Sequence, residues 1–198
     1  CEKYARDYCI SFNSLKTKCL VIIPRARRDL FVHVDNLVFY IDDKPISIVK
    51  SFSHLGHLIN PDLSDDDDII KQRNIFIGQI NNNLCYFKNL HSHVQDQLFQ
   101  SYCTSCYGCE LWQLYNANIE SFCVAWRKGL RRVWKLPYTT HCSLLPVVSQ
   151  CLPIFDELCR RFLNFARFCV THKCPLISFI ANYGIMHARS LSPIGQNV

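Results

Sequence analysis

At 198 residues, with 49% apolar and 19% charged side chains, the chain is long enough for one substantial core or two small ones, which excludes a disordered tail or a collagen-like repeat. Its longest uninterrupted apolar run, Cys19–Ile23, falls far short of the roughly 20 residues that span a bilayer, so no membrane partner is expected. The net charge of +6 is uneven: residues 1–85 set eleven Lys/Arg against eleven Asp/Glu, and residues 86–198 set eleven against five.

Residues 1–9 carry Cys1, Tyr4 and Tyr8 at helical spacing and read as the last turns of a helix, before Asn13 and Ser14 punctuate the chain. Lys18–Ile23, rich in β-branched residues and ended by Pro24, is expected as a strand buried on both faces. Arg25-Ala26-Arg27-Arg28 then reads as a loop or sheet edge. The apolar runs 37–41 and 46–49 flank Asp42-Asp43-Lys44-Pro45, a turn-forming set that predicts a β-hairpin. Phe52–Ile59 reads as a further extended piece that stops at Asn60-Pro61.

Beyond Pro61 the pattern turns helical. Ser64 with Asp67 three residues on is a capping pattern, and Asp65–Asp68 in the first turn complement the helix dipole. Four consecutive carboxylates point around a helix, so they read as a solvated capping face and not as a metal site. Ile69, Phe76, Ile80, Leu84 and Phe87 mark an apolar stripe reaching about residue 88. Further helices are expected at about 93–108, 117–136 and 154–172, a shorter one at 176–188, and a turn of helix at 142–149. Pro137, Pro146, Pro153 and Pro175 fall at their boundaries. The expected fold is α+β, mainly α: a small antiparallel sheet in residues 1–60 followed by a helical bundle in residues 61–198.

Thirteen cysteines in a chain with long apolar segments read as mostly buried free thiols, which implies a reducing, intracellular setting, nuclear or cytoplasmic. Cys103, Cys106 and Cys109 form a C-x2-C-x2-C run preceded by His91 and His93, which raises zinc or an iron–sulfur cluster. No fourth Cys or following Pro closes the run, because Glu110-Leu111-Trp112 comes next. Steps of three on a helix also place the three on one core-facing stripe, so no metal is assigned. A Cys-rich metal-binding module and a helical protein-interaction domain stay open as alternatives.

The segment 125–135 is the most informative. At about 100° per residue, Arg127, Lys128, Arg131, Arg132 and Lys135 fall within an arc of about 140°, opposite Phe122, Cys123, Trp126, Leu130 and Val133. Five like charges on one face suit a compensating anion, and a phosphate backbone fits, although a solvated outer face has the same pattern. No catalytic set accompanies it: there is no glycine-rich phosphate loop, no His-Glu-x-x-His and no Ser-His-Asp order. Asp42-Asp43 belongs to the hairpin turn.

Taken in order, these pieces resemble the distal palm and thumb of reverse transcriptases from LINE-type non-LTR retrotransposons. Asn13-Ser14-Leu15-Lys16-Thr17-Lys18, after a helix and entering a strand, is similar to the family's motif D. Phe52-Ser53-His54-Leu55-Gly56 is similar to its motif E, the primer grip, which the resemblance implies is a hairpin. Leu98-Phe99-Gln100-Ser101-Tyr102, Tyr107-Gly108, Leu111-Trp112, Trp126-Arg127-Lys128, Leu130-Arg131-Arg132-Val133-Trp134, Leu136-Pro137 and Thr140-His141 resemble its thumb. The resemblance covers nearly the whole chain, with His54 where the family often has Tyr or Lys.

That resemblance implies an RNA-directed DNA polymerase that uses two divalent ions, magnesium in the full-length parent, held by palm aspartates. The matching motifs A and C would precede residue 1. The chain opens at Cys1 with Met186 as its single methionine, and is expected to be a non-catalytic portion of a longer polypeptide with no cofactor of its own. Lys16, or else Lys18, would lie near the incoming nucleotide, with Lys16 favoured as a possible assistant to the pyrophosphate. His54, Leu55 and Gly56 would approach the primer backbone, and Arg127, Lys128, Arg131, Arg132 and Lys135 would face phosphates. The implied partners are RNA template, DNA primer, and the upstream palm and fingers of the same polypeptide.

Overall fold

The structure, a computed structural model, describes residues 2–13, 16–22, 37–41, 43–187 and 193–197. Cys1, Ser14, Leu15, the Arg25–Arg28 stretch and Asp42 lie outside the described residues. The chain is α+β and mainly α, with a few short strands preceding the helices. It divides into two compact units, Cys1–Ser64 and Asp65–Val198.

The first unit opens with α1 (Glu2–Asp7), where Tyr4 and Tyr8, one turn apart, bring their rings to 4.5 Å. Asn13 then organises a turn: its side-chain oxygen accepts the Lys16 N–H at 3.1 Å and its carbonyl accepts the Thr17 N–H at 2.9 Å. Three strands form one sheet in the order β1 (Lys18–Cys19), β3 (Lys44–Ile48), β2 (Phe39–Ile41). The expected hairpin is present, with Ile41 opposite Lys44 across a two-residue turn and Asp43 at φ +56°. Pro45 is tolerated within the middle strand because β1 pairs with β3 only from Ser47 onward.

Among the described residues of the expected Lys18–Ile23 strand, which exclude Ile23, only Lys18–Cys19 is strand, pairing parallel with β3, and it is not buried on both faces: Lys18 is exposed and Cys19 half-buried. The extended piece 52–59 forms a tight hairpin, as expected at motif E: β4 (Phe52–His54) pairs antiparallel with β5 (His57–Ile59), with His54 opposite His57. The two-residue turn, Leu55 at φ +49° and Gly56 at φ +86°, has the left-handed backbone that a two-residue hairpin of matched twist demands.

The second unit is built on α2 (Asp66–Tyr86) and α4 (Ala117–Val133). Around them lie α3 (Ser92–Leu98), α5 (Leu144–Ser149), α6 (Ile154–Val170), α7 (Pro175–Met186) and α8 (Pro193–Asn197). Contacts ascend together along the two main helices, Phe76 against Phe122, then Ile80 against Gly129, then Asn81 against Arg132, so α2 and α4 run parallel. The core lies between and beside them. Phe76 meets Phe99 and Phe122, Trp112 stands edge-on to Phe122, and Leu130, Val133 and Leu158 close it, all essentially without exposure.

The aspartate run is a solvated face only in part: Asp66 and Asp67 are exposed, whereas Asp65 is half-buried and Asp68 is buried. Asp65, not Ser64, occupies the N-cap position and makes no side-chain cap bond. Asp68 is fully buried and accepts the Trp112 indole N–H at 2.8 Å, Asp65 accepts the Gln113 backbone N–H at 2.7 Å, and Asp66 accepts the Asn116 and Asn118 amides at 2.8 and 2.7 Å. The first turn of α2 is a dock for the segment entering α4, and Asn197 secures the other side of that segment by bonding both Leu114 N–H and Trp112 C=O.

At the crossing, a Cβ on Gly129 would stand 2.7 Å from Ile80 Cδ1 and 3.1 Å from Phe99 Cε2, whereas one on Gly78 would meet nothing within 4 Å. Gly129→Val is therefore expected to destabilise the chain by about 2–3 kcal/mol through overpacking. Gly78→Ala, on an exposed helical face, is expected to stabilise it by about 1 kcal/mol. Denaturant midpoints of the two variants check the pair.

Candidate nucleic-acid interface

Helix α4 sets the cationic face. It starts cleanly because Asn116 accepts the Asn118 N–H at 2.8 Å as an N-cap. It carries Arg131 and Arg132 in its last turn, where positive charge complements the helix dipole. Its end is a Schellman arrangement: Leu136 N–H bonds Arg131 C=O at 2.8 Å and Lys135 N–H bonds Arg132 C=O at 3.3 Å. Lys135 occupies the left-handed position, φ +54°, that glycine usually takes. The inner face is as expected, with Phe122, Cys123, Trp126, Leu130 and Val133 all buried.

The five cations of the arc do not share one environment. Arg127 is half-buried and pairs with Glu120 two turns back. Arg131 gives Nε and Nη2 to the Thr140 carbonyl, at 3.2 and 2.8 Å, and so fastens the loop after the helix. Arg132 bonds Asn81 Oδ1 at 2.8 Å, a neutral partner that leaves its charge uncompensated. Lys128 and Lys135 are exposed, and neither side chain has a bonding partner among the described residues. Open positive charge thus narrows to Lys128, Arg132 and Lys135.

Sequence reasoning missed Arg73 of α2. A cavity of about 220 Å³ between α2 and α4 is lined by Arg73, Lys128 and Arg132 over a floor that includes Ile77 and Ile80. Arg73 Nε is buried there without a hydrogen-bond partner. The signal was present, since Arg73, Ile77 and Ile80 follow helical spacing, but only the packing of α2 on α4 turns that spacing towards Lys128.

In the first unit, Lys16 is exposed beside the Asn13 turn, and Lys18 extends from β1 to donate to Ser47 Oγ at 2.8 Å. Lys18 lines an open groove of about 810 Å³ with Lys3, Arg6, Phe39 and Tyr40. Cations beside exposed aromatic rings suit a single strand of nucleic acid, whose bases stack and whose phosphates pair. Lys3 and Arg6, on a short helix remote in sequence from Lys18, were not singled out from the sequence. His54, Leu55 and Gly56 sit together at the β4–β5 hairpin tip, with Leu55 74% exposed.

The cysteine run does not follow one helical stripe. Beyond α3 the chain widens into a π-helical turn, Phe99–Cys103, then passes through Cys106 at φ +37° and Gly108 at φ +82° into a 3-10 turn, Cys109–Leu111. Arg161 of α6 holds this loop by donating to the Thr104 and Ser105 carbonyls at 3.0 and 2.6 Å, while its Nε bonds Glu157 at 2.7 Å. Cys103, Cys106 and Cys109 are all buried in the core, and every described cysteine is a free thiol. Among the described residues no group of three or more His, Cys, Asp or Glu side chains could hold a metal ion.

No protein-family model, curated protein or solved structure matches the chain. Among the described residues no helix is long and apolar enough to cross a membrane.

Burial pushes the Cys103 thiol up to about 11 and the Cys106 and Cys109 thiols up to about 12. In an unfolded chain these thiols ionise near pH 9. Above roughly pH 9 the unfolded state sheds protons that the folded state retains, so stability falls as pH rises towards 11–12. Urea midpoints at pH 8 and 10 are expected to show this loss. Below pH 9, mass-spectrometric labelling is expected to reach Cys85, Cys142 and Cys174 well before the buried three.

Proposed function

We propose that the chain is a primer- and template-binding portion of a LINE-type reverse transcriptase, the first unit acting as a palm edge with primer grip and the second as a thumb. The observation that carries this reading is the outer face of α4 and its end, where Lys128 and Arg132 on the helix and Lys135 just beyond it stand without a carboxylate partner. Such a face attracts a polyanion and positions it without reading its sequence, because phosphates carry no base identity. The partners on this reading are an RNA template and a DNA primer. The parent polypeptide supplies the catalytic aspartates and their magnesium, and this portion is inactive alone.

The hairpin tip supports the same reading. Leu55 is an apolar, exposed residue held in a left-handed backbone that disfavours it by about 1–2 kcal/mol, and strain of this kind tends to persist where function selects it. Gly56 beside it leaves the backbone open to close approach by a strand.

Binding of an RNA–DNA primer–template to the full chain, titrated against salt, tests the proposal. Affinity is expected to fall steeply with salt, and Lys128→Ala with Lys135→Ala to shallow the logarithmic slope by about two. A salt-independent response would overturn it. Arg131→Ala is expected to lower the thermal midpoint as well as affinity, because its guanidinium fastens the Thr140 loop. Leu55→Asn is expected to raise stability by about 1 kcal/mol by relieving the turn, while weakening primer–template binding.

A further inference from the structure

We propose that the cleft between α2 and α4 seats a single phosphate group of a nucleic-acid backbone, gripped by Arg73 together with Lys128 and Arg132. This deepens the nucleic-acid reading and rests on it. It adds a residue from a different helix, and it turns a diffuse charged face into a defined position for one phosphate.

Two helices converge to make the seat. Along α2, Arg73, Ile77 and Ile80 recur at helical spacing, and along α4, Ala125, Lys128, Gly129 and Arg132 do the same. The missing side chain of Gly129 lets Ile80 approach closely, which floors the cleft with hydrocarbon. Three cations line the remaining volume of about 220 Å³, and no carboxylate does. Like charges gathered over an apolar floor are poorly screened and favour an anion between them.

The donor geometry specifies the kind of anion. Arg73 Nε is buried and unpaired, a condition that destabilises a folded chain. Arg132 uses Nη1 on Asn81, leaving the rest of its fork available, and Lys128 has no bonding partner among the described residues. A phosphate offers paired oxygens that engage Nε and an Nη of one guanidinium together, which chloride does not. Lys128 supplies the second charge as an ammonium reaching from the solvent side.

The test uses the full chain and the variants Arg73→Gln and Arg73→Lys, with two probes: inorganic phosphate and a short RNA–DNA duplex. Without ligand, Arg73→Gln is expected to leave the thermal midpoint unchanged or raise it, since a buried unpaired donor is lost. Phosphate is expected to raise the wild-type midpoint more than that of Arg73→Gln, the difference excluding general salt effects. Duplex affinity is expected to fall about tenfold or more in Arg73→Gln, with the salt slope reduced by about one. Arg73→Lys is expected to keep the slope and lose affinity, because the charge remains and the fork does not.

A lowered midpoint in Arg73→Gln without ligand would make Arg73 structural and overturn the proposal. Unchanged duplex affinity in Arg73→Gln, with binding still weakened by Lys128→Ala and Lys135→Ala, would also overturn it and leave the nucleic-acid reading standing. If the wild type binds no duplex while phosphate raises its midpoint through Arg73, the nucleic-acid reading fails, and the seat stands as one for free phosphate.

Discussion

The second unit depends on the close parallel crossing of α2 and α4 at Gly129. Ile80 and Phe99 fill the space where any other residue would place a Cβ, so the helices approach until their apolar stripes merge. Parallel neighbours cannot be joined by a short loop, and the connection between them is used for packing. It carries Phe99, the buried cysteines and Trp112 into the same core. Its return into α4 is held by Asp65, Asp66 and Asp68 at the start of α2.

Parallel packing also decides where charge collects. The amino-terminal ends of both helices lie together, where the Asp66 carboxylate gathers the Asn116 and Asn118 amides. At the carboxy-terminal end of α4 the helix dipole favours Arg131 and Arg132 in the last turn and Lys135 just beyond it. The basic face therefore has a backbone origin in addition to its composition. Some of that charge is consumed internally: Arg131 stabilises the Thr140 loop, Arg127 pairs with Glu120, and what stays open is the Lys128, Arg132 and Lys135 set with Arg73 beneath it.

Legibility from the sequence varied with the range of the interaction. Helices of strong apolar period, α2, α4 and α6, were readable to within a few residues, because period and proline boundaries are local properties. The 37–49 hairpin was readable from the turn-forming residues between its two apolar runs, although Lys44 and Pro45 lie in β3 itself. At the 52–59 hairpin the left-handed backbone of Leu55 was not readable, because leucine is not a residue that announces it. In the Asp65–Asp68 run the exposed Asp66 and Asp67 are legible as a solvated face but the buried Asp68 is not: a carboxylate in a first turn satisfies the dipole whether it faces water or Trp112, and only a partner 44 residues away distinguishes the two.

By itself the sequence determined the order of elements, the mainly helical class, the apolar inner face of α4 and the clustering of cations opposite it. These follow from residue spacing along one chain, which backbone geometry converts directly into faces. Tertiary structure alone decided that the three cysteines leave a helical stripe and still reach the core, that the aspartates form a dock, and that Arg73 joins Lys128 and Arg132 around one cleft. Each of those outcomes depends on which distant group meets a side chain. Spacing cannot encode that, because the approach of α2 to α4 is set by the absence of a single Cβ at Gly129.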